Sequence, residues 1–204
     1  MRTVWAMCVC LCAALPARAQ QTYITGTDAL GLIEFSELTL NDMVEGECWT
    51  EGERTKTKIR LMFEQKGLQV IDYKAAFYGY DVVLSELTAL GVRTKAGICA
   101  VNAEFRVVTR SFSDIGTTFY NDSYTAVGMV ELFSSNTLLT GAGDLDDELD
   151  RFFDRAVSEF LAKRYFARGS DSVIAFRTDN PSTGRPPMPF SDYQSFADIE
   201  NGSQ

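Results

Sequence analysis

The chain has 204 residues, 46% of them hydrophobic, with 28 Asp and Glu against 19 Lys and Arg, no histidine and a net charge of −9. That balance, with no basic stripe along the chain, excludes a binder of phosphate backbones and a nucleic-acid role. The missing imidazole excludes Ser-His and Cys-His nucleophiles, His-ligated zinc and the usual general base near neutral pH.

Residues 1–19 run from a basic Arg2 through an apolar block, Val4 to Leu15, into the small-residue exit Ala17-Arg18-Ala19. Charge, length and ending are those of a cleavable secretory signal. The apolar block falls short of the roughly 20 residues that cross a bilayer as a helix, so no membrane span is expected in the mature chain. Cys8, Cys10 and Cys12 sit inside the block after bulky residues, not after the small residue of a bacterial lipoprotein signal. The mature chain is therefore expected to begin near Gln20, in the periplasm or, alternatively, outside the cell. Removing Arg2 and Arg18 leaves 17 basic against 28 acidic residues, a balance of −11.

Export takes three of the five cysteines with the leader and leaves Cys48 and Cys99 as one potential disulfide pair. A redox role would favour a CxxC turn, and a metal site needs more ligands than two separated thiols. No cofactor and no metal are expected.

Further along, Leu32, Ile33, Phe35, Leu38 and Leu40 read as a strand that Asn41-Asp42 ends with turn chemistry. Thr50 and Glu53 have the spacing of a reciprocal capping box, and Ile59, Met62 and Phe63 follow at helical spacing until Gly67 stops the helix. A short strand, residues 68–73, comes next. From Asp81 to Val92 the β-branched and aliphatic run reads as strand. From Ile98 to Val108 the alternation is clearer: Cys99, Val101, Ala103, Phe105 and Val107 face the core while Ala100, Asn102, Glu104 and Arg106 face water. Residues 124–133 pair with that strand, and residues 111–123 are expected as a polar loop. In the last helix Asp144 is placed to cap, and Leu145, Leu149, Phe152, Phe153, Ala156, Val157, Phe160 and Leu161 form one apolar stripe, with Lys163 and Arg164 at the negative end of the dipole.

Two candidate chemistries are weak. Glu86 and Glu104, on neighbouring predicted strands, have the chance to face each other as a glycosidase pair does, but in so acidic a chain two Glu on a wet sheet face are ordinarily just solvated. Gly141-Ala142-Gly143 lacks the lysine and spacing of a phosphate cradle and reads as a flexible helix entry. No catalytic residue is assigned.

After Arg168 the composition turns to Gly, Ser, Asn and Pro, so residues 169–204 are expected as an extended linker and a short recognition helix. Phe190, Tyr193, Phe196, Ala197 and Ile199 recur near helical spacing after Ser191. This suits either a tail that is disordered or packed on its own domain, or a tethered motif that folds into a partner's groove, and it makes Phe190, Tyr193, Phe196 and Ile199 the candidate partner-binding residues. The expected architecture is α+β: residues 20–168 form one two-layer domain with a mostly antiparallel sheet of four to five strands, two helices on one face, and a flexible C-terminal tail.

The stretch ERTKTKIRLMFEQKGLQVI (residues 53–71), two long strands, a further strand, a polar loop and the helix DELDRFFDRAVSEFLAKRY (residues 147–165) resemble a group of uncharacterised exported bacterial α/β proteins. Their pattern is a helix ending in an ExxLRxxGIxV-like run and a final DxFxxxYL-like helix; Phe63-Glu64 stands here where the pattern has Leu-Arg. The element order is also similar to that of the TolB amino-terminal domain. Both likenesses imply an α/β scaffold without catalytic residues. The expected function is an exported, non-catalytic binding or assembly module acting through an unidentified protein partner in the cell envelope. The alternative is a small-ligand-binding protein or a carboxylate-dependent hydrolase.

Overall fold

The computed structural model describes residue 24 and residues 26–75, 80–117, 123–181 and 184–192, with the backbone alone of residues 110–117 and 123–127. A 3₁₀ segment, Gly26–Leu32, leads into β1 (Phe35–Val44), α1 (Gly52–Gln65), β2 (Gln69–Ile71), β3 (Val82–Arg93), β4 (Ile98–Thr117), β5 (Ser123–Ala142), α2 (Asp146–Arg168) and α3 (Asp171–Asp179). The chain is α+β, with one open five-stranded sheet in the order β2-β1-β3-β4-β5.

The sheet is mixed. β3, β4 and β5 are antiparallel neighbours, as expected, but β1 runs parallel to both β2 and β3. The helical crossover α1 brings β2 back parallel to β1, and β3 then adds to the other side of β1 in the same direction. Asn41-Asp42 do not end β1, because Asn41 stays in register with Thr88 and Asp42 with Ala89 of β3. A paired neighbour overrides local turn preference.

The inward face of β4 is the one read from the alternation, with Cys99, Val101, Ala103, Phe105 and Val107 all buried. They share one core with Ile59 and Phe63 of α1 and Leu149, Phe153 and Phe160 of α2. The Phe160 ring centroid lies 5.9 Å from Phe63, 5.9 Å from Phe105 and 5.8 Å from Phe133, so one side chain joins both helices to two strands. Each such aromatic contributes about 1.5–3 kcal/mol by burial alone.

The helix ends differ from expectation in an instructive way. No side chain caps α1, and the Thr50 hydroxyl donates instead to Asp146 Oδ2 at 2.7 Å while its backbone N–H donates to Oδ1 at 2.7 Å. Thr50 thus locks the starts of α1 and α2 together. Nor does Asp144 cap α2, which starts from Leu145 without a side-chain bond. Gly67 does close α1, with φ +68°, a conformation that costs glycine little.

The segment expected as linker after Arg168 holds α3. Val173 is buried, the Phe176 ring meets Tyr80 edge-on at 5.0 Å, and Arg177 pairs with Glu34 at 2.9 Å. These tertiary contacts supply what nine residues of modest helix propensity lack. Residues 184–188 hold neither helix nor strand and return to the sheet side: the Tyr73 hydroxyl donates to the Pro187 carbonyl at 2.7 Å, and Pro189 bridges to Ala75.

Candidate functional site

Cys48, in the turn before α1, and Cys99, at the start of β4, lie at disulfide distance with Cα atoms 5.6 Å apart. Both are buried, and the Cys48 carbonyl accepts from the Leu145 N–H at 2.8 Å, so the pair sits under the entry to α2. Its surroundings are structural.

Arg164 is buried, although its place near a helix end suggests a solvated cation. Its guanidinium donates to the carbonyls of Ile33 at 2.9 Å, Lys66 at 3.1 Å and Gly67 at 3.0 Å. Burial, reinforced by Arg168 and Arg177, pulls it down from 12.5 to about 10, still cationic at neutral pH. The guanidinium therefore supplies donors to the open end of α1 and to the lead-in of β1.

The face of the sheet away from α1 and α2 carries the surface most open to a partner. Cross-strand register places Met43, Leu90, Asn102 and Leu138 in one row, Val92, Ala100 and Thr140 in the next, and Ile98 beside Ala142 at the margin. None of these three rows contains a charge. Leu138 is 69% exposed, and Met43, Leu90, Val92 and Ile98 are also exposed. Polar rows follow, and here register separates the two carboxylates: Glu104 lies opposite Thr88, while Glu86 lies opposite Arg106 and pairs with it at 2.6 Å. Glu86 and Glu104 are thus not a facing pair.

β5 forms one margin of the sheet and pairs with β4 alone. Its 20 residues include one charge, Glu131, and neither proline nor lysine, so apart from the register shifts opposite Val107/Val108 and Asp114/Thr117 it carries few of the devices that keep sheet edges from pairing. Beyond Val108, β4 leaves β3 and continues with β5 as a two-stranded arm, with registers from Thr109↔Val130 to Thr117↔Ser123. Residues 111–117, expected as polar loop, belong to this arm. The sequence signal was the run of β-favouring residues Thr109, Phe112, Ile115 and Thr117 with no proline among them.

Of the tail residues expected to meet a partner, Phe190 is held by its own fold: its N–H donates to the Lys74 carbonyl at 2.8 Å, and the Lys74 ammonium lies 5.2 Å from its ring centroid. Tyr193, Phe196 and Ile199 lie outside the described residues. Among the described residues no group of three or more His, Cys, Asp or Glu is placed to hold a metal, and no helix is long and apolar enough to cross a membrane. No protein-family model matches the chain, and no curated protein matches it.

Proposed function

We propose that this chain is an exported, non-catalytic binding or assembly module of the cell envelope, which engages a protein partner through the β5 edge and the uncharged rows beside it. The observation that carries this reading is the 20-residue margin strand with a single charge, bordered by Leu138, Leu90 and Val92 on the uncovered face. A strand added to β5 gains main-chain hydrogen bonds, and side chains beside it cover the apolar rows. The separation of Glu86 from Glu104 weighs against the hydrolase alternative. The leader supports export, and a disulfide in an oxidising compartment accords with it.

Two measurements test it. The amino terminus of protein recovered from the envelope fraction is expected at or near Gln20; recovery only of cytosolic chain beginning at Met1 removes the export half. For the partner half, captures from an envelope extract by wild type and by Leu90→Glu/Leu138→Glu are compared. The double variant is expected to lose the partner at least about tenfold, because two carboxylates would be buried against an apolar surface. Equal recovery by both baits overturns the reading.

A further inference from the structure

A second surface, on the helical side, differs from everything around it. The C-terminal turns of α1 and α2 enclose a groove of about 1100 Å³ with Met62, Leu161 and Ala162 among its lining residues. Tyr165 and Phe166 also line it and are 74% and 76% exposed, an unusual state for adjacent aromatics. In a chain with 28 acidic residues, its lining contains Lys66, Arg164 and Arg168 and no carboxylate. Lys66 and Arg168 are exposed, and neither is in an ion pair among the described residues. Apolar surface framed by cations suits an acidic segment bearing aromatic and aliphatic side chains.

Such a segment exists in this chain. Residues 193–204, YQSFADIENGSQ, carry Tyr193, Phe196 and Ile199 at three-residue spacing, Asp198 and Glu200 beside them, and no Lys or Arg. We propose that the groove receives residues 193–204 of a second copy of the chain. Its own tail leaves the fold at the other end of β2. Phe190 is fastened to Lys74, past the C-terminal end of β2, whereas Lys66 of the groove precedes the start of that strand. Tail and groove are different surfaces, so reciprocal exchange closes a two-fold swapped dimer and one-way exchange builds rings or short chains.

Full-length mature chain with Phe196→Glu/Ile199→Glu has a damaged tail and an intact groove; chain with Lys66→Glu/Arg168→Glu has the reverse. In sedimentation velocity the mass of wild type is expected to rise with concentration, and each variant alone is expected to associate at least about tenfold more weakly. Mixed in equal amounts, the two variants are expected to form a one-to-one complex and nothing larger, because only one tail and one groove remain competent. Phe166→Ser serves as a second groove variant, since an exposed ring can be removed without opening the core, and far-UV circular dichroism verifies that each variant is folded. Wild type that stays monomeric at millimolar concentration overturns the proposal, as does a mixture that forms no complex. The synthetic peptide 193–204 binding to the tail variant while wild type stays monomeric also overturns it, because that result seats the tail in its own groove.

Discussion

Arg164 shows how one side chain can stand in for a local cap. Three carbonyls from two separate parts of the chain depend on it, and the guanidinium is charged and buried. Arg164→Met keeps most of the aliphatic stem but leaves those carbonyls without donors, and is expected to destabilise the protein by about 3 kcal/mol in urea titration. A loss below about 1 kcal/mol means that water replaces the guanidinium freely. Carboxyls at the surface offer a test of opposite character. The Arg60 guanidinium holds the Asp72 carboxyl below its ordinary 3.8. A depressed carboxylate stabilises the fold above the unfolded value of 3.8 and loses that contribution as pH falls through the folded one. Asp72 is well exposed, so the stability effect is small, but its carbon-13 titration midpoint is expected below 3.8 and to rise in Arg60→Gln. An unchanged midpoint in the variant removes the pairing from solution.

Between elements, the most consequential tie is the Cys48–Cys99 bridge, which joins residues 51 positions apart and closes a loop that holds all of α1, β2 and β3, with β1 lying before it. Chain-entropy arithmetic for a loop of that size gives roughly 4 kcal/mol. Urea midpoints of wild type and Cys48→Ser/Cys99→Ser are expected to differ accordingly, and a difference under about 1 kcal/mol excludes the bridge as a staple. The β4–β5 arm calls for a different measurement. Amides of residues 99–107 lie in a strand flanked on both sides, whereas those of 109–117 belong to a strand paired on one side only. Hydrogen exchange is expected to be faster by at least tenfold over 109–117, and equal protection along β4 means that something covers the arm. Elements with strong period-two burial were legible: the inward set of β4 matches the alternation residue for residue. What was not legible depended on distant partners. Thr50 has the spacing of a cap, yet its hydroxyl serves Asp146, 96 positions away. Residues 111–117 read as loop because polar residues interrupt the apolar pattern, and only pairing with β5 makes them strand.

Taken whole, the described residues form a sheet with one face covered by α1 and α2 and the other buried only at its β2 end, where Phe35, Ile71, Ala75 and Val82 make a second small core, and open over the Leu90 and Leu138 rows; that asymmetry was only half visible in the chain. The α2 stripe announced the covered side, since eight apolar residues at helical spacing demand a surface to lie on. The open rows did not announce themselves: Met43, Leu90 and Leu138 are far apart in sequence and become one row only through the register of three pairings, one of them the parallel pairing of β1 with β3. Charge did not mark it either, because a net of −9 describes the chain and not a patch. The two faces predict opposite responses to truncation. Phe160→Ala removes a fully buried ring that touches three others and is expected to cost about 3–5 kcal/mol, a large part of the stability of a domain this size. Leu138→Ser, at 69% exposure, is expected to change stability by less than about 0.5 kcal/mol while raising solubility, because it shortens an apolar strip without opening a cavity. Urea unfolding and precipitation thresholds of the two variants, measured side by side, decide the matter: if Leu138→Ser costs as much as Phe160→Ala, the outer rows are packed in solution and the surface assigned to a partner is already occupied.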